Sequence, residues 1–555
     1  MLPYRYRTLQ HADSIRLLTL HPSLDDQSPI TCTIQEVRLS DAQLKYEALS
    51  YTWGDVTYRQ SIYFHGGRRE LQIGANCYNA LRHLRRKDHD RQVWLDAICI
   101  DQSNLDERAD QVRLMDQIFQ SASGVVVHLG EETSGSRELF EELAEADNDP
   151  SWIEHGRRTW PSDIIIEQLE ILIQRPWFKR VWVLQEVHNM KGSITFMCGS
   201  SSASGKALEG CLFGYRYALV TDQPYPCAIG LMTSSPNTHS TAQYCLWNLL
   251  YESRDCLATD PRDKVFALRS LINQNRSHMD SLINYFKSVE EIFTETALFL
   301  LPVIGLRLLT AVRHPHELNT PSWIPDWSQC TPLDWCFFSV FPNMKPSPGY
   351  APVRAGYGRL ELHLLGIRYA QISCRSQAFW FSSVEDAKAQ MKGLYCQLGN
   401  LRKLFVEADM REDATRSTHL EKSIIDAMSQ LSGPTLHRFI NRGYVTDIQP
   451  SDIATDEIFA LPHLFFESLQ QCRIVLLDNN QICIAPDAAC TGDTVCFLRD
   501  ANSPCILRQG LNGDWTLVSG NCDVYGVDFK NDGAGFTEEV YLDEHGVALE
   551  TFVIR

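Results

Sequence analysis

The stretch from Arg175 to Glu186, Arg-Pro-Trp-Phe-Lys-Arg-Val-Trp-Val-Leu-Gln-Glu, sets Trp177, Phe178 and Trp182 close together and then presents a carboxylate. Ring faces attract cations, and a partly desolvated carboxylate can act as a base or stabilise positive charge. The segment therefore suits a planar, cationic ligand, with a packed helix start and a surface Glu186 as the competing reading. A second candidate is Trp94-Leu-Asp-Ala-Ile-Cys-Ile-Asp-Gln102, where Asp96 and Asp101 flank one segment at a strand end. Paired acids there can hold a ribose hydroxyl, or can turn the chain and cap the next helix. Cys99 has no histidine near it in sequence, so a buried structural thiol is expected rather than a nucleophile. His128 reads as a core or strand-end histidine more than as a base.

Several other chemistries lose their usual anchors. Gly199 to Lys206 is rich in small residues and ends in Gly-Lys, but its spacing is one residue too long for a phosphate loop, and Ala207 replaces the hydroxyl. The chain has no Gly-x-Gly-x-x-Gly, His-Glu-x-x-His or Gly-x-Ser-x-Gly. Its 18 cysteines contain no Cys-x-x-Cys pair, which argues against a zinc ribbon, a thioredoxin-type site or a dense disulfide framework. Neither a metal nor a resident cofactor is expected.

The elements that must position these residues are legible in the first two hundred positions. Tyr46 to Trp53 is rich in strand formers and stops at the turn pair Gly54-Asp55. Asn76 is expected to cap a helix through Arg86, followed by a strand over Gln92 to Ile98. Ser103 or Asn104 is expected to cap the next helix, which carries Val112, Met115, Ile118 and Phe119 at helical spacing. Gly124 to Leu129 reads as a short apolar strand, and Asp163 to Gln174 as a helix. Such alternation predicts a parallel sheet covered by helices, with ligands beyond the carboxyl ends of the strands. Those ends fall near Trp53 to Asp55, Asp96 to Asp101 and Leu129 to Glu131.

Beyond residue 200 the texture changes. Gly199 to Gly205 reads as a loop, Tyr244 to Arg254 and Asp280 to Leu301 as helices, and Thr259-Asp260-Pro261-Arg262-Asp263 as a helix start capped by Asp260. Pro321-Ser-Trp-Ile-Pro-Asp-Trp327 reads as a rigid boundary. Arg359 to Gly366, Asp493 to Leu498, Cys505 to Arg508 and Trp515 to Val518 read as strands, interrupted by a helical insertion over roughly Val384 to Leu431. At 555 residues two or three domains are expected. The division reads as residues 1–200 an α/β domain, 201–345 mainly helical, and 346–555 β-containing. A net charge of −18, with the acids scattered and in no long runs, disfavours nucleic acid, whose phosphates need a concentrated basic surface. The start lacks a secretory apolar stretch, and no uninterrupted apolar run reaches bilayer length, so a cytoplasmic location without a membrane span is expected.

Three motifs in order resemble the fungal heterokaryon-incompatibility (HET) domain: Tyr46-Glu-Ala-Leu-Ser-Tyr-Thr-Trp-Gly-Asp55, Trp94 to Gln102 with Glu107 and Gln111, and Arg175-Pro-Trp-Phe to Gln185-Glu186. Thr259 to Val265 and Pro321 to Trp327 resemble segments that follow it in large proteins of that family. The resemblance implies a role in non-self recognition and programmed cell death, with self-association or another incompatibility protein as partner. It also implies, more remotely, a Toll/interleukin-receptor (TIR)-like, flavodoxin-like parallel sheet, whose enzymatic members cleave NAD at the nicotinamide bond. On that likeness Leu49-Ser50-Tyr51 matches the first TIR strand, and Trp182-x-x-x-Glu186 has the spacing of the TIR tryptophan and catalytic glutamate. Glu186 is then the catalytic residue, with Ser50, Tyr51, Trp53, Asp55, Asp96 and Trp182 around a nucleotide substrate, NAD. Thr52 and Trp53 stand where many TIR enzymes carry arginine. A non-enzymatic signalling module, or an enzyme of specialised metabolism acting on another small molecule, stays open beside this reading.

Overall fold

The computed structural model describes residues 2–55, 57–64, 66–148, 163–188, 192–218, 241–272, 282–312, 318–329, 353–356, 359–375, 378, 471–479, 481–501, 503–524 and 549–555. The expected insertion over Val384 to Leu431 lies outside them. Apart from residues 222–224, the chain divides into one compact unit running to Ser288 and another from Val289 to Arg555. The helices between residues 205 and 288 are thus counted with the first unit.

The first unit is built on a ten-stranded sheet. Its strands are β1 (Leu2–Pro3), β2 (Ser14–Leu20), β3 (Thr31–Arg38), β4 (Glu47–Tyr51), β5 (Arg59–Phe64), β6 (Arg69–Gly74), β7 (Arg91–Trp94), β8 (Gly124–His128), β9 (Ser193–Cys198) and β10 (Ser201–Ser204). They lie in the order β1-β6-β5-β3-β2-β7-β4-β8-β9-β10. The four strands β7-β4-β8-β9 are mutually parallel. All five residues of Gly-Val-Val-Val-His in β8 are buried, as a strand covered on both faces requires.

The sheet is mixed rather than wholly parallel, which corrects the simple alternation expected. β2 and β3 form an antiparallel hairpin, β2 runs antiparallel to β7, and β5 pairs antiparallel with β6. A second correction concerns Gly199 to Gly205. Ser201–Ser204 is not a loop but pairs antiparallel with β9, Ser201 opposite Cys198 and Ser204 opposite Thr195. Main-chain pairing at a sheet edge needs little side-chain propensity, and Gly199 at φ +57° supplies the turn.

Helices α1 (Ala75–Leu84), α2 (Asp96–Cys99), α3 (Leu105–Ser121), α4 (Ser134–Asn148), α5 (Asp163–Ile173), α6 (Val183–Val187), α7 (Gly205–Ala218), α8 (Ala242–Glu252) and α9 (Asp263–Phe266) complete the described part of this unit. Asn104 caps α3 by accepting from the amides of Asp106 and Glu107 at 3.1 and 3.2 Å. Asn76 does not cap α1, whose cap is Gly74; its side chain donates to the Thr52 carbonyl at 3.1 Å.

The second unit carries a nine-stranded sheet around β12 (Arg359–Arg375), which pairs antiparallel with β11 (Val353–Gly356), β13 (Cys472–Leu477) and the strands Thr494–Leu498 and Glu550–Ile554. The strands expected near 494, 505 and 515 are all present. Pro321 to Trp327 is tied into this unit. Ser322 donates to the Arg555 carbonyl and accepts from the Leu517 amide at 2.9 Å, and Trp323 is fully buried. Helix α10 (Val289–Ile304) and the turn after it form one stretch, Val289–Ala311, with the length and mean hydropathy (1.8) of a membrane span. Glu295 interrupts it, and packing of Ile292, Phe293, Ala297 and Leu300 inside the unit accounts for its apolar character.

Candidate functional site

Ligands of parallel sheets gather outside the carboxyl ends of the strands, where neighbouring connections leave in opposite directions. Among the parallel strands the chain order is second, first, third, fourth, so that point lies between β4 and β8. The chain leaves β4 through Gly54, at φ +72°, where a Cβ would meet the Asn76 amide at 2.4 Å. Only glycine fits this turn without a shift of Asn76.

Glu186 sits under this end of the sheet, 3 % exposed. Ser50 Oγ donates to its Oε2, and the indole of Trp177 donates to Ser50 Oγ at 2.7 Å. An indole N–H can only donate, so the serine proton is directed to the carboxylate. Burial pushes the Glu186 carboxyl up to about 7; the Arg180 charge and the Ser50 bond pull the other way, and Asp96 adds to the rise. Desolvation outweighs one hydroxyl and a neighbouring cation because the charged form loses its hydration on every side.

The other expected residues divide. Trp53, 37 % exposed, donates from its indole to Asp96 Oδ2 at 2.9 Å, and burial also raises the Asp96 carboxyl. Tyr51 is buried, and its carbonyl accepts from Arg180. Asp55 accepts from the Thr57 amide and hydroxyl at 2.8 and 2.7 Å, a turn that holds its carboxyl below the usual range. Trp182 donates to Asp263 Oδ2 at 2.9 Å. The structure thus joins Ser50 to Glu186 and Trp53 to Asp96, while Asp55 and Trp182 bond elsewhere. Arginines do stand at this end, from the 175–180 segment rather than from position 52: Arg180 beside Glu186 and Asp96, and Arg175 donating to the carbonyls of Leu129 and Glu131 at 2.9 and 3.0 Å.

A cavity of about 270 Å³ opens at the point between β4 and β8, with Thr52, Asn76, Asn79, His128, Glu131 and Arg175 on its wall. Sequence reasoning missed most of these. His128 Nε2 lies 3.0 Å from His83 Nδ1, the rings stacked at 5.3 Å, and His83 Nε2 lies 3.6 Å from Glu131 Oε2. Burial lowers both imidazoles, His128 to about 4. The available signal was His128 at a strand end two residues before Gly130; nothing local pointed to His83, in the last turn of α1. Cys99 is buried, its thiol raised to about 12 chiefly by burial, as a structural cysteine should be. Among the described residues no group of histidine, cysteine and acids could hold a metal.

The heterokaryon incompatibility protein (HET) family matches residues 46–186. Relatives include Heterokaryon incompatibility protein 6, OR allele, of Neurospora crassa, 27 % identical over 398 residues, which is 57 % of this chain and 58 % of that protein. Vegetative incompatibility protein HET-E-1 of Podospora anserina is 27 % identical over 146 residues, 26 % of this chain and 9 % of that protein. The chain carries a HET domain. It spans 58 % and 9 % of the lengths of these two relatives. No solved structure matches the chain.

Within the HET domain, two motif residues act as braces. Glu107 takes a two-pronged bond from Arg16, at 2.5 and 2.9 Å, and Gln111 donates to the Ser14 carbonyl at 2.9 Å, so both clamp α3 onto β2. The domain match ends at Glu186, yet the bonds continue past it. Asp263, which holds Trp182, also accepts from the Tyr285 hydroxyl at 2.7 Å, and Gln185 accepts from Ser270 at 2.9 Å. Thr259 to Val265 is therefore a structural support of the HET domain as well as a sequence neighbour of it.

Proposed function

We propose that the HET domain of this chain hydrolyses the nicotinamide glycosidic bond of NAD, and that the chain acts through it in fungal heterokaryon incompatibility and programmed cell death. The observation that carries the chemistry is Glu186: a carboxyl buried at the carboxyl ends of the parallel strands, oriented by Ser50, and raised to about 7. A group titrating there is present as base and acid at neutral pH. The carboxylate stabilises the oxocarbenium-like ribose as the bond to nicotinamide breaks, and takes the proton of the water that adds to the anomeric carbon. The parallel-strand order β7-β4-β8-β9 supports a TIR-like, flavodoxin-like arrangement. The incompatibility role rests on the names of the two fungal relatives.

Glu186 does not line the cavity, so turnover requires its carboxyl to be uncovered, and self-association or binding of another incompatibility protein in the cytoplasm is the step assigned to do so. The chain incubated with NAD, alone and under conditions that drive assembly, should release nicotinamide, and Glu186→Gln should stop it. No release in any assembled state ends the hydrolase reading. The absence of Glu186 from the cavity wall also favours a second reading, a non-enzymatic interaction module in which this acid is structural. Cell death that survives Glu186→Gln selects it.

A further inference from the structure

The cavity between β4 and β8 has its own chemistry, which Glu186 does not explain. His128 is 4 % exposed and lines it, and among the described residues its ring hydrogen-bonds through Nε2, to His83. Facing imidazole nitrogens 3.0 Å apart share a single proton, since two N–H groups cannot point at each other. Glu131, 3.6 Å from His83 Nε2, favours the proton of His83 on that side. His83 Nδ1 is then the acceptor, His128 donates from Nε2, and Nδ1 of His128, a residue that lines the cavity, keeps its lone pair. A lone pair there asks for a ligand donor, and a hydroxyl supplies one. Asn76 and Asn79 stand on the same wall with amide groups that both donate and accept, and Glu131 contributes carboxylate acceptors. Glu131 also opposes a phosphate, and Arg175 is committed to the carbonyls of Leu129 and Glu131. Clefts for small molecules run from roughly 300 to 1,000 Å³, so a cavity of about 270 Å³ takes a nucleoside-sized fragment and not a whole dinucleotide.

We propose that this cavity binds the ribose diol of a nucleoside, with His128 Nδ1 accepting from a ribose hydroxyl and with Glu131 and His83 acting as positioning residues that fix the His128 tautomer. The choice of a nucleoside rests on the NAD reading above; the hydroxyl-accepting chemistry does not.

Adenosine titrated calorimetrically into the full chain tests it. Adenosine should bind, and 2′,3′-dideoxyadenosine should bind at least about tenfold more weakly, as a site built for a hydroxyl rejects the analogue lacking it. In His83→Phe, which keeps a ring against His128 but removes the acceptor nitrogen, that discrimination should vanish. Nitrogen-15 spectra of the unaltered chain need no variant and should show His128 protonated on Nε2. Absence of adenosine binding, equal affinity for the two nucleosides, discrimination surviving His83→Phe, or an Nδ1-protonated His128 each overturn the assignment. Nicotinamide release is scored separately. If NAD is not cleaved while adenosine is still discriminated, the hydrolase reading falls and the cavity assignment stands; cleavage without discrimination removes the cavity assignment alone.

Discussion

Two polar clusters stand at the carboxyl ends of the same strands and are built in opposite ways. Around Glu186 the acid is buried, bonded by Ser50, which Trp177 orients, and closed off from the cavity. Around His128 the imidazole is equally buried, but its residue lines an open space and among the described residues its ring bonds through Nε2. Burial drives both groups toward their neutral forms, raising the acid and lowering the base. The difference lies in access. The acid that the TIR likeness marks as reactive lies off the cavity wall, and the histidine on that wall belongs to none of the three motifs.

The largest effect that would break this comparison is on turnover. If Glu186 is the reacting group, Glu186→Gln should lower nicotinamide release by roughly 100- to 10,000-fold, the range of a lost general base, while His128→Gln should act mainly through substrate affinity. Equal losses in kcat for both would merge the two clusters into one site.

Next is stability against pH, where the clusters have opposite signs. Glu186 keeps its proton to about 7 in the folded chain, while the unfolded carboxyl ionises from about 4.3. Its contribution is therefore lost as pH rises through that window. His128 is lowered to about 4, so between 6.5 and 4 the unfolded chain takes up a proton that the folded chain refuses, and stability is lost as pH falls. Each full window is worth about 3.5 kcal/mol, and where they overlap they oppose. Urea unfolding of Glu186→Gln should therefore gain stability more steeply than the parent from pH 4.5 to 6.5, and His128→Gln should do the reverse. Slopes identical to the parent in both variants would mean that neither group is held as described. Smaller again is Trp177→Phe, which leaves Ser50 without its donor and a gap where the indole packed; a loss of about 2 kcal/mol is expected by urea unfolding.

How far the sequence foretold this contrast follows from how local each feature is. β4, β8 and the Asn104 cap of α3 are set by residues within a few positions of one another, and they were legible. β2 was not, because Arg16 interrupts its apolar run; the arginine is tolerated there through Glu107, 91 residues away, and through the carbonyls of Cys99 and Arg7. The Ser201–Ser204 strand has no strand-forming side chains and exists through its pairing with β9. Ser50 and Glu186 could be matched by resemblance, but their bond spans 136 residues and the His83–His128 contact 45. Partnership across such distances is decided by sheet order, which periodicity does not encode. Trp177 is fully buried; that its N–H also orients Ser50 is visible only once β4 lies beside it.

The finest test concerns Trp182, the aromatic that sequence spacing places against the ligand and that the structure bonds to Asp263. Trp182→Phe keeps a ring but deletes the donor to Asp263 Oδ2, leaving that carboxylate to the Tyr285 hydroxyl. Asp263 is already raised to about 6, chiefly by burial, and losing a bond that favours its charged form should raise it further. The cost to stability should be about 1 kcal/mol, that of one hydrogen bond with its partner still served. The change reaches Glu186 through the backbone, where the Glu186 amide bonds the Trp182 carbonyl at 3.3 Å. A supporting Trp182 therefore predicts a lower melting temperature with KM for NAD unchanged. A tenfold rise in KM at unchanged melting temperature would instead move Trp182 to the ligand and bring the two clusters around one substrate.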